Sequence, residues 1–97
     1  MKIHYTLHFK LKESGRSFPP TYSKKIFYKP DYKFFDNDPD NMSNISVKEL
    51  EYGGVPRLVV IAHTYNRSQK RVIMKTIYVI WSYQMTNWVS SGKWTRR

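Results

Sequence analysis

His4, His8 and His63 are the only side chains in this chain whose ordinary pKa lies near neutrality, and there is no cysteine. The missing thiols exclude disulfides, cysteine-held zinc, iron–sulfur clusters and thiol nucleophiles. His4 and His8, four apart, would share a metal if they lay on a helix. Residues 2–12 alternate instead, with Ile3, Tyr5, Leu7, Phe9 and Leu11 on one face and His4, Thr6, His8, Lys10 and Lys12 on the other. On such a strand the two histidines stand about 13 Å apart, too far for one ion. A metal-free ribonuclease needs an acid, a base and a cation, which one of these histidines, His63 and a lysine would supply. No spacing in the chain draws that set together. Asp36-Asn37-Asp38-Pro39-Asp40 opens like a calcium loop and then departs from it. Asn41 stands where an EF-hand needs glycine, and Val47 where it needs glutamate. Glycine-rich phosphate loops, nucleophile elbows, paired catalytic carboxylates and the RNA-recognition signature are all missing. The expectation is a protein that is not an enzyme, with no cofactor and no metal.

Binding chemistry is better represented. Residues 52–97 contain no acid, yet carry Arg57, Arg67, Lys70, Arg71, Lys75, Lys93, Arg96 and Arg97. Residues 1–35 add eight cations against two acids, and residues 36–51 hold most of the negative charge, leaving a net charge of +10. Charge this unbalanced calls for an anionic partner. Sixteen of the 97 residues are aromatic, and many sit among the cations. Cations that neutralise phosphates beside rings that stack bases are the requirements of a single-strand nucleic-acid surface.

Three clusters carry this reading. The first is Lys24, Lys25, Phe27, Tyr28, Lys29, Tyr32 and Lys33; its plainer explanation is a lysine-protected edge strand. The second is Arg67, Lys70 and Arg71 at a hairpin tip, which is also the composition of any solvated turn. The third is Lys93, Trp94, Arg96 and Arg97, where Trp94 is expected to be exposed and Trp88 to close the core.

The elements that must position these residues are mainly strands. Glu13-Ser14-Gly15-Arg16 reads as a turn, and Pro19-Pro20 as an extended connection. Tyr22–Phe35, interrupted by Pro30, reads as an edge strand or two short pieces. Asp36–Asn44 reads as a loop. Ile45–Gly54 is open between a short helix, capped by Ser46 and Glu49 and stopped by Gly53-Gly54, and a strand. Arg57–Tyr65 and Val72–Tyr83 read as central strands joined by a hairpin at Asn66–Gln69. Ser90-Ser91-Gly92 reads as a flexible exit.

The expected fold is mainly β, or α+β with one short helix: a small single-domain antiparallel sheet or compact barrel of four to six strands. The expected domain covers residues 1–88, with a basic aromatic tail at 89–97. The leading functional expectation is a small non-enzymatic nucleic-acid-binding module that favours single strands. The alternative is a small basic inhibitor or adaptor, of a size that suits a virus- or plasmid-encoded effector, docking on an acidic protein surface with Trp94 as anchor. Pairing through the edge at Tyr22–Lys29 would give a homodimer. The lack of cysteine and of a signal-like or membrane-length apolar stretch leads to the expectation of a reducing, cytoplasmic setting away from membranes.

Overall fold

Two separate layers of apolar side chains, one on each face of a single sheet, organise this chain. In the computed structural model, which describes residues 2–97, six strands take the spatial order β1-β5-β4-β3-β2-β6. They are β1 (Lys2–Tyr5), β2 (Tyr32–Asp36), β3 (Asn44–Tyr52), β4 (Val55–Asn66), β5 (Arg71–Ile80) and β6 (Trp94–Arg96). Three short helices complete the molecule: α1 (Leu7–Gly15), α2 (Tyr22–Tyr28) and α3 (Ser82–Ser90). On one face, Phe9 of α1 and Tyr22 and Ile26 of α2 pack over Val59, Ile61, Met74 and Ile77. On the other, Phe34, Ile45, Val47, Val60, Ile80 and Trp94 form a second layer under Met85, Trp88 and Val89 of α3.

The fold is thus mainly β and a single domain, built on β4 and β5 as its long central strands. Val, Ile and Thr on both faces suit strands buried on two sides. Their hairpin is tied by Asn66, whose Oδ1 accepts from the Ser68 hydroxyl at 2.8 Å and the Gln69 N–H at 3.1 Å. The sheet is mixed, because β1 runs parallel to β5 while every other pairing is antiparallel.

Several local expectations are corrected. The alternating run at residues 2–12 is strand only as far as Tyr5. The Thr6 hydroxyl accepts from the Phe9 N–H at 3.1 Å and starts α1. His4 therefore lies on a strand and His8 on a helix. Tyr22–Tyr28 is a helix and no sheet edge, so the expected dimer edge at Tyr22–Lys29 does not exist; the sheet's edges are β1 and β6. Ile45–Gly54 is a strand and its turn. Gly53 and Gly54, at φ of +65° and +85°, supply the two left-handed residues of a tight hairpin between the paired Tyr52 and Val55. Residues 89–97 are not a tail, because α3 extends to Ser90 and β6 pairs with β2. Among the described residues, no helix is long and apolar enough to cross a membrane.

Candidate nucleic-acid interface

The seven residues of α2 divide by face. Tyr22, Ser23 and Ile26 are buried against the sheet, leaving Lys24, Lys25, Tyr28 and the following Lys29 outward. Lys48 of β3 points up beside them. Its Nζ donates to the Lys29 carbonyl at 2.8 Å and meets Asp31 Oδ1 at 3.4 Å. The four lysines and Tyr28 line one open groove of about 320 Å³. Tyr28 is 58% exposed, with Phe27 edge-on to it at 5.2 Å. Lys25 leans over the Tyr22 ring, 5.7 Å from its centroid.

The cationic surface continues across the sheet. Lys33 stands opposite Ser46, the residue two before Lys48, so strand alternation puts all three on the α2 side. The Arg97 N–H donates to the Lys33 carbonyl at 2.9 Å, and the Arg97 guanidinium lies 4.7 Å from the Phe35 centroid. Phe35 and Thr95 pair across β2 and β6. Lys33 belongs to the expected cluster, whereas Phe35 and Lys48 were outside it. Only the β2–β3 register, which sequence does not print, brings them beside α2.

His63 lies under this surface. Its Nε2 is hydrogen-bonded to Ser46 Oγ at 3.0 Å, and its ring meets Phe27 edge-on at 5.1 Å. Burial, with the nearby Lys33 charge adding to it, pushes its pKa down to about 4. It is a neutral, half-buried side chain at pH 7, on a different element from His4 and His8. Asp31 is held ionised: the Glu49 N–H bonded to it lowers its pKa first, with Lys48 contributing. Among the described residues, Lys48–Asp31 is the one ion pair, and no three His, Asp or Glu side chains gather as a metal would need.

The other expected site residues fall elsewhere. Trp94 is 1% exposed; it stacks on Phe34 at a ring separation of 5.3 Å and meets Trp88 edge-on at 4.9 Å. It builds the core and cannot stack a base, because its ring is sealed on both sides. Lys93 lies over Trp88 at 4.4 Å, and Arg96 faces Phe34 at 5.8 Å, on the α3 side of the sheet. Tyr32, beside Phe34 at 6.3 Å, shares that side. Arg67 and Lys70 are exposed at the β4–β5 hairpin, whereas Arg71 is half-buried opposite Lys2. At about 4.8 Å per strand, β4 and β6 are roughly 14 Å apart. The hairpin and the C-terminal strand therefore do not form one cluster. No protein-family model matches the chain, and neither a curated protein nor a solved structure does.

Proposed function

We propose that this protein is a non-enzymatic nucleic-acid-binding module whose interface is the outward face of α2 together with Lys48, Lys33 and Arg97. The observation that carries this reading is the set of lysines gathered around an exposed tyrosine, in a chain whose seventeen lysines and arginines are met, among the described residues, by one ion pair. Lysines neutralise phosphates and release their counterions, and Tyr28 offers a free ring to an unpaired base. Docking on an acidic protein surface has less support, since Trp94, the anchor it would use, is internal. A ribonuclease has less still, because His63 is half-buried against Phe27 and Ser46 and lies on a different element from His4 and His8.

The test is fluorescence anisotropy with labelled single-stranded RNA, single-stranded DNA and duplex, across a salt series. Single strands are expected to bind most tightly, with affinity falling steeply as salt rises. Lys24→Ala, Lys25→Ala and Lys29→Ala together should flatten the logarithmic salt slope by about 2, at about 0.7 per lost phosphate contact. Tyr28→Ala should cost about 1–3 kcal/mol with single strands and leave the slope intact. Unchanged binding by the triple variant would remove α2 from the interface, and no binding at low salt would reject the function.

A further inference from the structure

Tyr28 shares its side of the molecule with a second exposed ring, Tyr65 of β4, which is 52% exposed. Tyr65 pairs with Val72 and His63 with Met74, and both partners belong to the core layer beneath α1 and α2. Tyr65 and His63 therefore face the α2 side of the sheet. Phe27 links the two ends: it meets Tyr28 at 5.2 Å and His63 at 5.1 Å, edge-on in each case. Because β3 starts opposite His63, no strand pairs with β4 beside Tyr65 on that flank. Two residues beyond Tyr65 the chain enters the β4–β5 turn, where Arg67 and Lys70 are exposed. The turn has a fixed shape: the Lys70 N–H donates to the Arg67 carbonyl at 3.3 Å, and the Asn66 amide to Gln69 Oε1 at 3.2 Å. Among the described residues, neither cation meets a carboxylate.

A lone exposed ring is ordinary on a protein surface. Here two stand on one side with two half-buried rings between them, and cations lie at both ends. Val59, opposite Lys48, comes six residues before Tyr65, so the α2 groove and Tyr65 are about 20 Å apart along β4. That distance is about six nucleotides of a stacked strand, at about 3.4 Å each. Residues 52–97 hold no acid, so nothing on β4 or its turn repels a phosphate along this line. A duplex keeps its bases paired and stacked on one another, so rings spaced in this way reach only unpaired bases.

We propose that a single strand runs from the α2 groove along β4 to the hairpin tip, with one base on Tyr28, another on Tyr65, and phosphates on Arg67 and Lys70. The track rests on the nucleic-acid reading of the α2 surface and sets the length of strand which that surface takes. Strands of about six nucleotides or more engage both ends, and shorter ones fill the groove alone. Once the groove is filled, reaching the tip is an intramolecular step, so the longer strand gains affinity.

The experiment is anisotropy at low salt with labelled oligouridylates and oligodeoxythymidylates of three and twelve nucleotides. The shorter strand covers about 10 Å and stays in the groove. Tyr65→Ala should weaken binding of the longer strand about tenfold, the scale of one lost stack, and leave the shorter within about twofold. Tyr65→Phe keeps the ring and should bind as wild type, which separates stacking from a folding defect. Arg67→Ala with Lys70→Ala should flatten the logarithmic salt slope of the longer strand by about 1.4, at about 0.7 per phosphate, and leave that of the shorter unchanged. Equal losses on both lengths in Tyr65→Ala would overturn the track. So would wild-type binding of the longer strand by Tyr65→Ala and by the tip variant. The triple lysine variant separates the two readings. If it loses both lengths while the Tyr65 and tip variants bind as wild type, the track fails and the α2 interface stands. If only the Tyr65 and tip variants lose binding, the α2 interface fails and the hairpin end stands alone.

Discussion

At the scale of the residue, His63 and Trp94 carry energetic consequences of opposite kinds. His63 is neutral in the folded protein, with its pKa lowered to about 4 by burial and by Lys33, whereas in the unfolded chain it titrates near 6.5. Above pH 6.5 both states are neutral there, and the histidine adds no pH dependence. As pH falls from 6.5 towards 4, only the unfolded state takes up the proton, so stability is lost through that window and levels off below it. The full loss is about 3 kcal/mol. Urea denaturation at intervals between pH 7 and pH 4 should show the decline, and His63→Gln should remove most of it. The buried Tyr78 adds no slope near neutrality, because desolvation and then the Asp36 charge push its pKa far upward. Trp94 is a packing residue. Trp94→Ala should cost about 3–5 kcal/mol, since a fully buried ring leaves a void that Phe34 and Trp88 cannot fill. Its exposed neighbours Lys93 and Arg96 lie over Trp88 and Phe34, and alanine at either should cost no more than about 1 kcal/mol, the scale of an exposed cation–π contact. The charged neighbours are what hid this burial in sequence: Lys93 stands before the strand, Arg96 shares the face of Trp94 at the exposed end of β6, and a window of polar residues reads as a tail.

At the scale of the element, α1 separates two readings of the same apolar residues. Leu7, Phe9 and Leu11 alternate, and on a strand all three would enter the core. On α1 only Phe9 does so, while Leu7 and Leu11 are 72% and 62% exposed. Leu7→Gln with Leu11→Gln should therefore lower the unfolding free energy read from urea denaturation by less than about 0.5 kcal/mol per site, whereas strand packing would make each costly. A large loss would refute the helix. The signal for α1 was present in Thr6, a good N-cap whose hydroxyl reaches the Phe9 N–H. A perfect period of two outweighed one capping residue. In α2, Tyr22 and Ile26 show helical spacing behind Pro19-Pro20, but seven residues give too few turns for periodicity to speak. In α3, Met85, Trp88 and Val89 at i, i+3 and i+4 mark the face that meets the sheet. The central hairpin was legible because β4 and β5 are long, β-branched and separated by turn residues. The order of the strands was not, since it depends on which short edges meet. That order decides the candidate site: β2 against β3 sets Lys33 beside Lys48, and β6 against β2 adds Arg97. Lys24, Lys25, Tyr28 and Lys29 were legible as a cluster, although the element holding them was not.

At the scale of the whole molecule, a charge of +10 is spread over a body of 37 × 31 × 22 Å. At about 0.01 M salt the Debye length is roughly 30 Å, so each cation feels nearly every other one. At about 0.15 M it is roughly 8 Å, and most of that repulsion is screened. In a protein rich in surface ion pairs, screening would remove attractions as well. Here the one ion pair among the described residues, Lys48–Asp31, leaves little attraction to lose. The folded state should therefore gain stability with salt. Tm should rise between these two concentrations, by about 4–8 °C for each kcal/mol of relieved repulsion in a domain of this size. Binding must move the other way. Over the same fifteenfold change, each phosphate contact to a single strand should weaken affinity roughly sevenfold. An oligonucleotide added at low salt should then raise Tm strongly, because ligand bound only to the folded state stabilises it and the same charges that repel one another now meet phosphate. At 0.15 M that added stabilisation should largely disappear while the protein alone is more stable. Calorimetry with and without a single-stranded oligonucleotide at both salt concentrations reads all four values. If salt instead lowers Tm of the free protein, the cations are being neutralised within the fold, and the electrostatic basis for an anionic partner fails with it.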